Sequence, residues 1–290
     1  MADDNSRIDA LAARLGWNRG ELTIDPAKHG ATNTSYFCDY HGESYVIRLG
    51  SENQGLLSIN RSAEEAALRK VSATGCGAEL CYYDVETGNM VTRRIIGREL
   101  AGSDLGDEQI LCGMTALLKR VHRLNTDYEL DIFGDIESRL VSVRQLGIPL
   151  HRDFDVVYRK YHERAQKYDL VHSEHRGLCH GDPFCSNFIL ADDGRMYLID
   201  YEYSAMCDIF YDFACVTTGW SRERRAHFLE LYFGGDADIE RLLLKLYDFA
   251  YFSMLWNGMW AYLKSRDVPR EVFDYVDFGD KHINSLLAMG

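Results

Sequence analysis

The segment His180-Gly181-Asp182-Pro183-Phe184-Cys185-Ser186-Asn187 carries an acid and, five residues later, an amide. Leu198-Ile199-Asp200-Tyr201-Glu202 follows, with a second acid at the end of an apolar run. These residue types at this spacing fit phosphoryl transfer. Asp182 can take a hydroxyl proton, while the Asn187 amide oxygen and the Asp200 carboxylate can hold Mg²⁺ against nucleotide phosphates. An Asp and an Asn in this spacing would by themselves make a turn with an Asx cap. The acids placed after a hairpin are what favour chemistry.

These groups need particular elements to hold them. Leu178-Cys179 reads as the end of a short strand, and Pro183 forbids a helix running through Asp182. Phe188-Ile189-Leu190 leaves as a strand, Asp192-Asp193-Gly194 is a hairpin turn, and Met196-Tyr197-Leu198-Ile199 returns beside it. The hairpin predicts that Asn187 and Asp200 lie at the same end of two paired strands. Upstream, Tyr45-Val46-Ile47-Arg48-Leu49-Gly50 offers Arg48 at the end of an apolar strand, where a guanidinium can grip phosphate bidentately. Gly30-Ala31-Thr32-Asn33-Thr34 is a small polar turn of a kind that can lie over phosphates, with Asn33 and Thr34 as its candidate nucleotide contacts, although many plain turns share its composition.

Ser6 can cap a first helix that Gly16 closes. Strands are predicted over 34–40 and 44–49, joined at His41-Gly42, and over 79–84 and 89–96, turned at Glu86 to Asn89. A helix is predicted over 61–74, with Ser62-Ala63-Glu64-Glu65 as a capping box closed by Glu65. From Gly97 the pattern is mostly helical, over 107–124, 153–168, 208–219, 222–233, 237–265 and 269–288. The shift predicts an α+β chain of two lobes, 1–96 and 97–290, meeting near Ile96-Gly97-Arg98-Glu99.

At 290 residues, with 46% hydrophobic and 27% charged, the chain can build a sizeable core. A formal net charge of −13 speaks against nucleic acid as a partner. The eight cysteines form no C-x-x-C pair and no zinc spacing, so free thiols and a cytoplasmic setting are expected. The acidic start is unlike a signal peptide, and no apolar run is long enough to span a membrane. A homodimer is left open.

H-G-D-x-x-x-x-N followed by I-D-x-E resembles the aminoglycoside phosphotransferase and choline kinase superfamily, which has a protein-kinase-like fold. The resemblance implies an antiparallel-sheet lobe with one main helix, a larger helical lobe, and ATP and Mg²⁺ as cofactors. It makes Asp182 the catalytic base and His180 an orienting group. Asn187 and Asp200 become metal ligands, with Glu202 assisting. Ile59-Asn60-Arg61-Ser62-Ala63-Glu64-Glu65-Ala66 resembles a segment of LicA-type choline kinases, and this gives Glu64 the ion-pair role toward Arg48. Thr92-Arg93-Arg94-Ile95 takes the place of the lobe connection, whose backbone could bind adenine.

For the acceptor, Trp256 and Trp260 lie four apart and so share a helix face. Indole faces attract ammonium groups, although a buried aromatic stripe shows the same spacing. Ile199-Asp200-Tyr201-Glu202-Tyr203-Ser204, Tyr211-Asp212-Phe213 and Trp220 resemble the choline kinase signature, and residues 252–260 and 273–278 resemble its aromatic pocket. Trp256, Trp260, Trp220 and Phe278 are the acceptor candidates. The chain departs from that pattern at Asn257, where a tryptophan is expected, at Gly219, where an acid is expected, and at Phe278, where a tyrosine is expected. An amino alcohol, choline or ethanolamine, is the implied acceptor. The alternatives are an aminoglycoside or amino sugar, or a non-catalytic kinase-like amine-binding protein.

Overall fold

The computed structural model describes residues 2–27, 33–51 and 59–289. Its first part is a helix, α1 (Ala2–Leu15), then β1 (Thr23–Pro26), β2 (Thr34–Tyr40), β3 (Glu43–Leu49), α2 (Arg61–Thr74), β4 (Leu80–Tyr83) and β5 (Met90–Arg93). The strands form one antiparallel sheet in the order β1-β2-β3-β5-β4. His41 and Gly42 both have positive φ, 51° and 81°, which gives the tight turn that a twisted two-residue hairpin requires. Ile8 and Leu11 of α1 pack on Ile47, Leu49 and Val91 to make a small core on one side of the sheet.

The helical part follows. β6 (Gly97–Glu99) leads into α3 (Glu108–His122), α4 (Ile132–Gln145) and α5 (Phe154–Ala165). Then come β7 (Arg176–Cys179), β8 (Phe188–Ala191), β9 (Met196–Leu198) and β10 (Ala205–Asp208), and finally α6 (Phe210–Val216), α7 (Arg222–Phe233), α8 (Ile239–Lys264) and α9 (Tyr275–Ala288). β6, β8 and β9 form a small antiparallel sheet, and β7 pairs with β10. The 26-residue α8 is apolar nearly all round and is buried accordingly among α4, α6, α7 and α9. Ala67, Leu68 and Val71 of α2 belong to the same core as the helical part, so α2 links the two lobes. Among the described residues no helix is long and apolar enough to cross a membrane.

Several elements differ from expectation, each for a local reason. α4 had no clear amphipathic pattern because Arg139 lies buried within its apolar stripe of Ile132, Ile136, Leu140 and Val143. α6 starts later than 208 because Ala205–Asp208 is taken up as a strand against β7, and it ends at Val216, before Gly219 turns the chain with φ +76°. α9 starts at Tyr275 rather than 269, where the Asp274 side chain caps it by accepting from Asp277 N–H at 3.0 Å. The Ser62–Glu65 capping box does not form. Asn60 is the N-cap, accepting from the backbone of Ser62 and Ala63 at 3.1 Å each, and Glu65 instead pairs with Arg69 at 2.6 Å.

Asn60→Ala should therefore cost about 1 kcal/mol of stability. Glu65→Ala, which removes only an exposed i,i+4 pair, should cost less than about 0.5 kcal/mol. Urea unfolding of both variants checks this, and the reverse order would restore the capping box.

Candidate active site

The loop after β7 and the β8–β9 hairpin meet at one end of a cleft. Phe188 pairs with Leu198, and Ile199 N–H donates to the Asn187 carbonyl at 2.9 Å, so the ladder brings Asn187 and Asp200 together. Asn187 Nδ2 donates to the Asp182 carbonyl at 2.8 Å and lies 3.5 Å from its carboxylate. Asp200 has φ +69°, a left-handed conformation uncommon outside glycine that swings the chain sharply where β9 ends.

His180 ties the loop to the end of the β8–β9 hairpin. Its Nε2 donates to the Ile199 carbonyl at 2.8 Å, and its Nδ1 accepts from the Asp182 N–H at 3.2 Å. Both contacts are met by the neutral ring with its proton on Nε2, and burial holds the His180 pKa below its ordinary value. Beneath it, the fully buried Asp212 of α6 accepts from the backbone N–H of His180 at 2.8 Å and of Gly181 at 2.9 Å. Asp212 also contacts His122 Nε2 at 3.0 Å. Sequence reasoning placed Asp212 within a signature but missed this anchoring; an acid in a wholly apolar helical run was the available signal. Gly181 is required here, since a Cβ would sit 2.5 Å from the Tyr203 carbonyl oxygen.

Across the cleft, Arg48 at the end of β3 forms a buried ion pair with Glu64 of α2. Glu64 also accepts from Arg61 at 2.6 Å and from the Tyr83 hydroxyl at 2.5 Å. Burial opposes the Arg48 charge, but Glu64, with Asp200 and Glu202 behind it, more than offsets it, and the Arg48 pKa ends above its ordinary value. Arg48 also reaches to 3.7 Å from Asp200. Asn33 donates to Glu202 at 2.8 Å and accepts from Arg61 at 3.2 Å. Gly30 to Thr32 lie outside the described residues. Thr34 faces away from the cleft: Asn33, Ser35 and Phe37 line it, and strand alternation turns the residues between them to the other side.

Asp182, Asp200 and Glu202 crowd the cleft with negative charge. The Asp182 pKa stands well above its ordinary value through burial and then through Asp200 and Glu202. Asp200 is raised by burial against the pull of Arg48. Glu202 is pushed up to about 7, by burial first and Asp200 second. Such a set fits a cation. Asn187 and Asp200 offer hard oxygens on the cleft side, where Asp200 is 44% exposed, whereas Glu202 is buried and engaged by Asn33 and Arg61. Among the described residues no three His, Cys, Asp or Glu side chains form a metal-binding group. The donors therefore suit an ion that completes its shell with phosphate oxygens and water, as Mg²⁺ does.

One cavity of about 1310 Å³ joins all of this to the acceptor candidates Trp220, Trp256, Trp260 and Phe278. Thr92 to Ile95 line its sheet side. Trp260 donates to the Tyr203 hydroxyl at 3.1 Å and packs edge-on to Tyr275. Trp256 is largely buried, donates to Asp135 at 2.5 Å, and has the Arg139 guanidinium 4.0 Å over its ring. Trp220 has Arg224 over its ring at 4.7 Å. Phe278 lies against His282 at 4.6 Å. The four line the same cavity, but Trp256 and Trp220 each already hold a resident cation.

Residues 23–247 match the model of the APH family, described as the phosphotransferase enzyme family. The chain belongs to that family, and the match supports a small-molecule phosphotransferase. It is 24% identical over 97% of its length to an uncharacterized protein, the MG356 homolog of Mycoplasma pneumoniae, covering 92% of it. It is 27% identical over 94% of its length to a probable ethanolamine kinase of Arabidopsis thaliana, covering 82% of it. The fold is protein-kinase-like. It matches choline kinase LicA of Streptococcus pneumoniae with a TM-score of 0.79 at 20% identity, covering 100% of this chain and 99% of that one. A choline/ethanolamine kinase family protein of Mesorhizobium loti matches with a TM-score of 0.77 at 21% identity, over 97% and 94% of the two chains.

The raised Glu202 pKa has a stability consequence. Between about pH 4.5 and 7 the folded chain keeps a proton that the unfolded chain has lost, so this group's contribution falls as pH rises through that window. Glu202→Gln keeps the uncharged form throughout. Its stability relative to wild type should therefore rise from pH 5 to pH 7.5 in ligand-free buffer, as read from urea midpoints. Parallel curves would rule out the shift.

Proposed function

We propose that the protein transfers the γ-phosphate of ATP, with Mg²⁺, to the hydroxyl of a small amine-bearing alcohol of the choline or ethanolamine kind. The observation that carries this is the meeting of Asp182, Asn187, Asp200 and Arg48 at one cleft that also opens onto aromatic side chains. Residues 1–96 form the nucleotide lobe and 97–290 the catalytic and acceptor lobe in this proposal. Phe37, Val46, Met90, Ile189 and Leu198 give an apolar slot for a base, beside the backbone of Thr92 to Ile95. Arg48, held by Glu64, faces the phosphates, with Asn33 at the mouth of the cleft.

Asn187 and Asp200, with Glu202 behind them, would hold Mg²⁺, which would supply positive charge to a nucleotide's phosphates. Asp182 orients the acceptor hydroxyl and receives its proton as the new O–P bond forms and the bond to the ADP oxygen breaks. The neutral His180 and the Asn187 amide fix the Asp182 backbone, so much of the barrier is met by positioning. Trp260, joined to Tyr203, stands on the amine side, and the free thiols support a cytoplasmic setting.

Asp182→Asn should lower kcat for ethanolamine or choline by at least about a hundredfold while MgATP binding persists. ADP release measured by coupled assay, with calorimetry for the nucleotide, checks both halves. Turnover retained in this variant would remove Asp182 as the base.

A further inference from the structure

The cavity runs on past the catalytic loop. Tyr247, Ala250, Met254 and Asn257 fall on one face of α8 and all line it, as do Thr218 of the turn after α6 and Met289 beyond α9. The catalytic end can be located on α8. Ser253 Oγ lies 3.4 Å from Cys215 Sγ, which lies 3.9 Å from the Gly181 carbonyl oxygen. Tyr247 is six residues before Ser253, about 9 Å along the helix. That is a longer track than a two-carbon amino alcohol fills.

Arg225 of α7 stands at the far end of this track, half-buried in the wall. It donates to the Thr217 carbonyl at 3.3 Å and lies 5.2 Å over the Tyr247 ring. Among the described residues no carboxylate pairs with it, and burial, only partly offset by Tyr247, holds its pKa below the ordinary value. Arginine nonetheless stays protonated at neutral pH.

The remaining charges point the same way. Arg224 covers a face of Trp220, whereas the Arg139 over Trp256 is already paired with Asp135 at 2.9 Å. The only acids lining the cavity among the described residues are Glu99, Asp182, Asp200 and Glu202, on β6 and in the catalytic segment. A bare cation placed near Trp220 and Tyr247 would meet guanidinium groups and no carboxylate. An oxyanion there would gain a charge-assisted, fork-shaped partner.

Building on the phosphotransfer role of Asp182, we propose that the acceptor is a zwitterionic amino alcohol. Its hydroxyl and amine sit at the Asp182–Trp260 end, and a carboxylate or phosphate group at the other end is read by Arg225. Arg225 is then a specificity-determining residue rather than a catalytic one.

The test uses the full chain with MgATP and measures ADP release against choline and ethanolamine, against L-serine, L-homoserine and L-carnitine as carboxylate-bearing alcohols, and against serinol phosphate as a phosphate-bearing one. At least one anion-bearing acceptor should exceed both choline and ethanolamine in kcat/KM by tenfold or more, and the better arm identifies the oxyanion. Arg225→Gln should reduce that selectivity ratio at least tenfold, mainly through KM, and Arg225→Lys should restore part of it. A purely structural role at the end of α6 would lower stability and all acceptors together and leave the ratio unchanged. A preference for choline or ethanolamine, or a ratio unmoved by Arg225→Gln in a folded protein, overturns the proposal. No ADP release with any acceptor, and none lost in Asp182→Asn, would instead sink the phosphotransfer assignment beneath it.

Discussion

The buried carboxylate of Asp212 is the interaction on which the site depends. A loop that must present an acid to a cleft leaves its own backbone N–H groups pointing inward, and unpaired donors at depth are costly. Asp212 satisfies those of His180 and Gly181 from α6, and His122 of α3 approaches the same carboxylate. Helix packing is thereby converted into loop geometry. The absence of a Cβ at Gly181 lets the loop press against Tyr203, and the His180 ring then ties it to the end of the β8–β9 hairpin.

On this frame, opposite charges are partitioned rather than mixed. Glu64 is surrounded by Arg48, Arg61 and Tyr83 and is fully compensated. Asp182, Asp200 and Glu202 are not, and each holds its proton more tightly than usual. The surplus of negative charge lies on the cleft side of a buried guanidinium, where phosphates and a divalent ion would meet it. A site arranged in this way is poorly settled when empty and gains most when its ligands arrive.

The sequence made the local parts legible and the convergent parts much less so. Asp192-Asp193-Gly194, His41-Gly42 and the apolar runs beside them define hairpins through short-range chemistry, and the elements formed within a residue or two of expectation. The Arg48–Glu64 contact was legible only through resemblance, because nothing local links a strand end to a helix sixteen residues on. α4 stayed hidden because Arg139 occupies a core position whose compensation, by Asp135 and the Trp256 ring, comes partly from another helix. The same blind spot affected the tryptophans. Spacing put Trp256 and Trp260 on one helix, but it could not show that arginines from α4 and α7 would already lie over Trp256 and Trp220. Thr34 was read both as part of the polar turn and as the start of the strand over 34–40, and the strand's alternation, which puts Asn33, Ser35 and Phe37 on the cleft, decides which way its side chain points.

The split between β8–β9 with α6 on one side and α7 to α9 on the other has an evolutionary meaning. Asp182, Asn187 and Asp200 are set by a hairpin and one short helix, while much of the cavity wall beyond them comes from helices later in the chain. Substitutions along the cavity face of α8 or in the first turn of α7 can therefore be sampled without dislodging Asp182, Asn187 or Asp200. Such an arrangement lets the cavity wall vary while the catalytic loop stays in place.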